Sequence, residues 1–139
     1  MYLVTGGAGF IGSNIVEALV TSGAAVRVLD NLANGKRENL AAFGDRVEWI
    51  EGDIRDASVC QRAVRGASVV LHLAALGSVP RSIADPAASN DVNVTGTLNV
   101  LIAARDAGVK RVVFSSSSSV YGENPALPKR EDLATLPIS

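Results

Sequence analysis

The stretch "VTGGAGFIG" (4–12) constrains this chain more than any other. Gly6, Gly9 and Gly12 stand three apart, directly after the apolar run "YLVT" (2–5) and at the entry to "FIGSNIVEALVTSG" (10–23). In that second stretch Ile11, Ile15, Leu19 and Val20 recur at helical spacing, and Gly23 is a stop signal. A strand, a glycine turn and a helix in that order bring backbone where side chains do not fit. Gly6 permits the tight turn, Gly9 lets the backbone approach a bound pyrophosphate, and Gly12 lets helix and strand pack closely. The helix start then offers unpaired amides and the positive end of a dipole.

The rest of the chain repeats this alternation. "AAVRVLD" (24–30) reads as a strand, and "NLANGKREN" as a loop running into a short helix through "RENLAAF". "RVEWIEGD" (46–53) alternates with period two, "DASVCQRAV" (56–64) is a helix opened by Asp56, and "ASVVLHLAA" (67–75) is a buried strand. A long helix is predicted over 85–108, with Pro86 in its first turn and Gly108 at its end, followed by a fifth strand in "KRVVFSS" (110–116). Five strands alternating with helical segments predict an α/β fold: a Rossmann-like, doubly wound parallel sheet of order 3-2-1-4-5, wound by right-handed crossovers. Residues 1–121 form the expected dinucleotide-binding unit. Pro125, Pro128 and Pro137 make 122–139 an expected irregular tail.

Composition removes several function classes. Of 139 residues, 47% are hydrophobic and 19% charged, which predicts a packed core rather than disorder. A formal net charge of −1 supplies no basic field, and 4% aromatic content supplies no stacking platform, so nucleic acid is not an expected partner. Cys60 and His72 are single, which excludes an internal disulfide, a His/Cys metal cluster and a Ser-His-Asp triad within this chain. His72 is expected to be structural or at a solvent edge rather than catalytic. No signal-peptide pattern and no run of ~18 apolar residues is present, so no membrane contact and a cytoplasmic location are expected.

Asp30 ends the second strand, 18 residues after Gly12, where a carboxylate takes the ribose hydroxyls of NAD. A 2′-phosphate at ~4 Å and an effective dielectric near ~20 would cost up to about 4 kcal/mol, favouring NAD over NADP. Lys36 and Arg37, a few residues on, can soften that preference. The bland alternative is that Asp30 serves a turn.

With the glycine loop, Asp30, "GDIRD", "HLAA" and "FSSSSSVYG" in hand, the chain resembles the extended short-chain dehydrogenase/reductase family, which includes nucleotide-sugar epimerases and dehydratases. The resemblance covers all 139 residues in order and corresponds to the N-terminal part of that family's cofactor domain. It implies NAD as cofactor, held by Gly6, Gly9, Phe10, Ile11, Gly12, Asp30, Asn31, Asn34 and Gly35. It places Asp53 and Ile54 beside the adenine, the carboxylate taking the amino group, and Leu73, Ala74 and Ala75 beside the ribose and diphosphate. Asn93 resembles the family's helix asparagine at the active-site edge. Read from the residues alone, Asp53 can instead cap a turn, Leu73 to Ala75 can be core, and Asn93 can back-bond within its helix.

The serine run resembles the family's fifth-strand ending, F-S-S-S-x-x-V-Y-G, rather than a linker. Ser117 then matches the catalytic Ser/Thr, bonding the sugar O4 as hydride moves between C4 and the nicotinamide. Ser118 and Ser119, with Gly77, Ser78 and Val79 of "ALGSVPRSI" (75–83), would line the sugar pocket. That loop resembles the one in 4-epimerases acting on UDP-N-acetylhexosamines; a generic loop is the alternative. A dehydratase would show Asp-Glu where Ser118 and Ser119 stand. The family's base is the Tyr of Y-x-x-x-K, its pKa lowered by the Lys and by the cofactor's positive charge. Tyr121 has Pro125 four residues on, so it is expected to be structural. The sequence stops before a Y-x-x-x-K helix and a substrate lobe, so the C-terminal part of the fold is expected to be missing. The longer parent is expected to be a UDP-sugar epimerase and a homodimer. This chain alone is expected to be catalytically silent, any self-association non-native, with a non-catalytic NAD-binding module as the competing reading.

Overall fold

The computed structural model describes residues 1–138. Five parallel strands, β1 (Tyr2–Thr5), β2 (Val26–Asp30), β3 (Val47–Glu51), β4 (Val69–His72) and β5 (Arg111–Phe114), form one sheet in the order β3-β2-β1-β4-β5. β1 lies at the centre, in register with β2 on one side and β4 on the other (Thr5 opposite Leu29 and His72). The chain winds outward from β1 to β3, then crosses to β4. That reversal leaves a crevice beyond the carboxyl ends of β1 and β4, the usual ligand position in such sheets.

Alternation along the strands sorts the core onto two faces. Val4, Val26 and Val28 pack with Val16 and Val20 of α1 (Phe10–Thr21) on one face. Leu3, Leu29 and Val70 pack on the other with Val59, Ala63 and Val64 of α2 (Ala57–Val64) and with Val100, Ala103 and Ala104 of the long helix. Asp56 opens α2 as predicted: its carboxylate accepts from the amides of Ser58 (2.8 Å) and Val59 (3.4 Å). At the other end Arg27 of β2 donates to the carbonyls of Ala63 and Arg65 (both 2.7 Å), satisfying the helix end from inside the sheet.

The differences from expectation are local. The loop at 75–83 contains a short helix, α3 (Val79–Ala84), capped by Ser78 with Pro80 in its first turn. The helix predicted over 85–108 runs as α4 (Pro86–Asn90), a wider π segment (Asp91–Gly96) and α5 (Thr97–Asp106). "RENLAAF" begins a run of 3-10 turns, Arg37–Arg46, broken where Gly44 has φ 50°. β4 stops at His72: the Leu73 amide still reaches the Thr5 carbonyl (3.1 Å) but is shared with the Thr5 hydroxyl, and the Ala74 amide turns to that hydroxyl alone. β5 stops at Phe114, so the serines lie beyond the strand, with Ser118–Tyr121 forming a 3-10 turn. No helix or strand occurs from 122 to 138.

Candidate cofactor crevice and the serine edge

The glycine loop is built as its spacing predicts. Gly6 has φ 69°, and a Cβ on it would lie 2.8 Å from the Ala74 nitrogen. A Cβ on Gly12 would lie 2.2 Å from the Gly6 carbonyl oxygen, so any side chain there forces α1 away from β1. α1 starts at Gly9 with no side-chain cap and no acidic residue in its first turn. Its leading amides are thus left for an anion, with the dipole adding to the attraction. Phe10 and Ile11 stand 85% and 60% exposed at that turn, an apolar rim on an otherwise polar approach.

Asp30 is buried and does two things. One carboxylate oxygen accepts from the Ala8 amide (3.0 Å) and the other from the Leu32 amide (2.8 Å), so it braces the glycine loop. An ionised carboxylate has about four acceptor sites, which leaves two for ribose hydroxyls. Lys36 N–H and the Asn39 side chain both donate to the Ala8 carbonyl (3.0 and 2.7 Å), fastening the loop from its other side. Arg37 does not approach Asp30 as a charge partner; its guanidinium lies over the Trp49 ring, 4.2 Å from the centroid.

A crevice of about 190 Å³ opens here, lined by Gly6, Gly9, Asp30, Asn31, Asn34, Gly35, Asp53, Ile54, Leu73, Ala74 and Ala75 among others. Eleven of the fifteen cofactor residues expected from sequence therefore meet in one place. Phe10, Ile11, Gly12 and Asn93 are not in that lining: the first three form the rim and floor turn of α1, and Asn93 acts from behind. Its Oδ1 accepts from the Leu76 amide (2.8 Å) and its Nδ2 donates to the Leu76 carbonyl (3.0 Å), so it clamps the crevice loop instead of back-bonding in its helix.

Asp53 differs from a free acceptor. Arg55 donates to it from the backbone amide (2.9 Å), Nε (3.0 Å) and Nη2 (2.8 Å), and Asn31 donates from Nδ2 (2.8 Å). Four donors occupy the carboxylate, and the Arg55 hydrogen bond foremost holds its pKa down to about 2. An adenine amino group would have to take one of those places. Ile54 lines the crevice through its edge, while its side chain is buried beneath Gly96 of the π segment.

Thr5 and Asn99 escaped the sequence reading, and His72, expected to be structural or at a solvent edge, is buried and bonded at both ring nitrogens. Thr5 and His72 are polar residues inside apolar strands, and that interruption was the available signal. Thr5 Oγ1 accepts from the Leu73 and Ala74 amides (3.2 and 3.3 Å) and contacts His72 Nδ1 (2.7 Å). Asn99 donates to the carbonyls of Ile54 and Arg55 (3.1 and 2.9 Å), tying α5 to the "GDI" loop. Nothing in its helical surroundings marks it.

The predicted sugar side is looser. Ser78 spends its hydroxyl capping α3, accepting from the Arg81 amide (3.3 Å). Val79 is half exposed, and a Cβ on Gly77 would meet nothing within 4 Å. Ser117 donates to the Ser119 hydroxyl (3.1 Å) and accepts from the Ser119 amide (3.2 Å), an exposed local pair; Ser118 opens the following turn. None of these residues lines the crevice.

The crevice residues fit a dinucleotide on three counts: uncapped amides at a helix start, glycines whose Cβ positions are already filled, and a buried carboxylate with acceptor capacity to spare. Comparison with known proteins agrees. The chain is 46% identical over 141 aligned positions to a UDP-glucose 4-epimerase of Mycolicibacterium smegmatis, covering 99% of this chain and 45% of the relative. A solved UDP-N-acetylglucosamine 4-epimerase from Methanobrevibacter ruminantium, in complex with UDP-N-acetylmuramic acid, is 44% identical with a TM-score of 0.90, covering 99% of this chain and 44% of that one. A solved dTDP-glucose 4,6-dehydratase from Streptomyces venezuelae, with NAD bound, is 42% identical with a TM-score of 0.89, covering 98% of this chain and 45% of that one. The chain therefore spans less than half the length of each of these relatives. The NAD dependent epimerase/dehydratase family matches residues 2–139, and with this sheet order and this glycine cradle the chain belongs to that family.

Proposed function

We propose that this chain is the NAD-binding portion of a UDP-sugar 4-epimerase, acting on a UDP-hexose or a UDP-N-acetylhexosamine. The observation that carries the cofactor is the uncapped start of α1 above the Gly6–Gly12 turn, with Asp30 at its flank. The amides of that first turn would hold the diphosphate, and Asp30 the adenosine ribose. When bound, NAD supplies a hydride acceptor and donor at the nicotinamide, so oxidation at sugar C4 and its reversal need no other redox partner. Ser117, beyond β5, would bond the sugar O4, and Gly77, Ser78, Val79, Ser118 and Ser119 would border the sugar. Ser118 and Ser119 in place of Asp-Glu favour epimerisation over dehydration.

Neither tyrosine has a lysine four residues on: Tyr2 is followed by Gly6 and Tyr121 by Pro125. The 139-residue polypeptide by itself therefore binds NAD and turns over no sugar. The same reading places the protein in the cytoplasm. It pairs the longer protein as a homodimer through the exposed stripe Val94, Leu98, Leu101 and Ile102. Calorimetric titration tests the central claim. NAD should bind with NADP at least tenfold weaker, and Asp30→Asn should narrow that gap. Equal affinity for the two cofactors, or none for either, would defeat it. Interconversion of UDP-glucose and UDP-galactose by the 139-residue chain would overturn the claim of silence.

A further inference from the structure

We propose that His72 is a positioning residue: as the neutral Nε2–H tautomer it links Thr5 at the end of β1 to Thr97 and Asn93 on the long helix, and so holds the Leu73–Leu76 turn that walls the cofactor crevice. Only the effect on NAD rests on the functional reading above.

Donor and acceptor counting leaves one arrangement. Thr5 Oγ1 has three neighbours: the Leu73 amide at 3.2 Å, the Ala74 amide at 3.3 Å and His72 Nδ1 at 2.7 Å. Both amides can only donate, the Leu73 amide being shared between this oxygen and the Thr5 carbonyl (3.1 Å), so neither can take the hydroxyl proton. That proton must point at His72 Nδ1, which therefore accepts. On the other side, Thr97 Oγ1 donates its proton to the Asn93 carbonyl (2.8 Å), which can only accept. Its contact with His72 Nε2 at 3.0 Å is then satisfied only if Nε2 carries the hydrogen. Every proton between the Leu73 amide and the Asn93 carbonyl is thereby assigned. Asn93 completes the loop, since its side chain holds both backbone groups of Leu76.

The arrangement excludes an imidazolium. A proton on Nδ1 would face a hydroxyl oxygen that already accepts from the Ala74 amide and shares the Leu73 amide, and it would leave the hydroxyl's own proton without an acceptor. The surroundings offer no compensation. His72 is 1% exposed, and the Phe114 ring lies 5.8 Å from its own. The titratable groups of the packed elements are Tyr2 on β1, Arg111 on β5, and Asp91, Arg105 and Asp106 on the long helix; none bonds to the ring. Arg111 is in register with Val69, three residues from His72 along the strand. Burial lowers the imidazole pKa to about 4. A residue that served only to fill space would need neither the hydroxyls on both nitrogens nor one tautomer.

His72 is the only histidine in the chain, so its ring signals in ¹⁵N NMR need no assignment. The Nε2–H pattern is expected at pH 7, with titration displaced well below pH 6.5. Protection of the Leu76 amide from hydrogen exchange should fall with the same midpoint, while that of Val28 in the core persists. Thr97→Val breaks the link at nearly constant shape. It should speed exchange at Leu73 and Leu76 at least tenfold and weaken NAD at least fivefold, and Thr97→Ser should restore both. An Nδ1–H tautomer, a Leu76 amide that stays protected after the ring titrates, or a Thr97→Val chain with unchanged exchange at Leu73 and Leu76 would each overturn the proposal. If the unaltered chain fails to bind NAD, the cofactor reading falls, and the tautomer and exchange results still decide the role of His72.

Discussion

The two halves of the sheet are finished to different degrees. On the β3-β2-β1 side, every residue of β2 is buried, α1 seals one face and α2 seals the other. On the β4-β5 side, α5 covers one face only, and β5 keeps Val113 and Phe114 at 48% and 58% exposure. The chemistry follows the packing. Around the glycine loop, polar groups brace one another across 22 to 69 positions of sequence, as Asp30 does with Ala8 and Thr5 with Ala74. At the serine edge, the Ser117 side chain bonds only to Ser119, two residues away. Long-range side-chain bracing fixes the geometry of one half; at the serine edge the long-range bonds are backbone ones, Ser115 N–H to the His72 carbonyl (3.0 Å) and Leu136 N–H to the Val120 carbonyl (2.8 Å), while the Ser117 side chain is held locally.

The sharpest way to break this contrast is at Gly12. Gly12→Ala places a methyl 2.2 Å from the Gly6 carbonyl oxygen, so helix or turn must shift. Overpacking of this kind costs about 1–3 kcal/mol, and NAD binding should fall by more than a hundredfold, read by denaturant unfolding and titration. Acid acts where the two halves meet, at the end of β4. The folded pKa of His72 lies below its unfolded value of 6.5, at about 4, so the neutral form is the one folding favours. Its stabilisation is complete above pH 6.5, declines as pH falls, and is gone below about pH 4, a loss of about 3 kcal/mol. Asp53, held down to about 2 by Arg55, adds a loss at lower pH, as the solution passes from its unfolded value of 3.8 through about 2. Unfolding midpoints measured at pH 7, 5 and 4 should fall in that order, and a flat profile across this range would contradict a buried neutral His72.

Arg27 offers a smaller effect on the same side. Arg27→Met leaves the Ala63 and Arg65 carbonyls without their donor and should cost about 2 kcal/mol. Glu48→Gln should cost below about 1 kcal/mol, because Glu48 is exposed. The smallest effects belong to the open half. Ser117→Ala and Val113→Ala should each change stability by less than about 0.5 kcal/mol and leave NAD affinity untouched. A large loss from either would mean that the serine edge is braced by contacts comparable to those of the crevice.

Much of this was legible along the chain because it depends on periodicity and punctuation. Period-two and helical spacing locate all five strands and the main helices; right-handed winding narrows the strand order, and the glycine turn after β1 points to 3-2-1-4-5 among the doubly wound orders. Asp56 as a cap and Gly6 and Gly12 as close-approach positions are local facts that neighbours in sequence reveal. The helix at 79–84 was also signalled, by Ser78 followed by Pro80, but a loop reading of "ALGSVPRSI" passed over it.

What the sequence determined by itself, then, is the parallel sheet, its glycine cradle and the family to which the cradle belongs, since these follow from the order of residue types over a few turns of chain. Tertiary structure alone decided which polar groups meet. Asn93 finds Leu76 across 17 residues, Asn99 finds Ile54 across 45, and Thr5 finds His72 across 67. Such pairings have no sequence period. They arise because a buried hydroxyl, amide or imidazole must find a partner wherever packing has delivered one, and that place is known only once the sheet has closed.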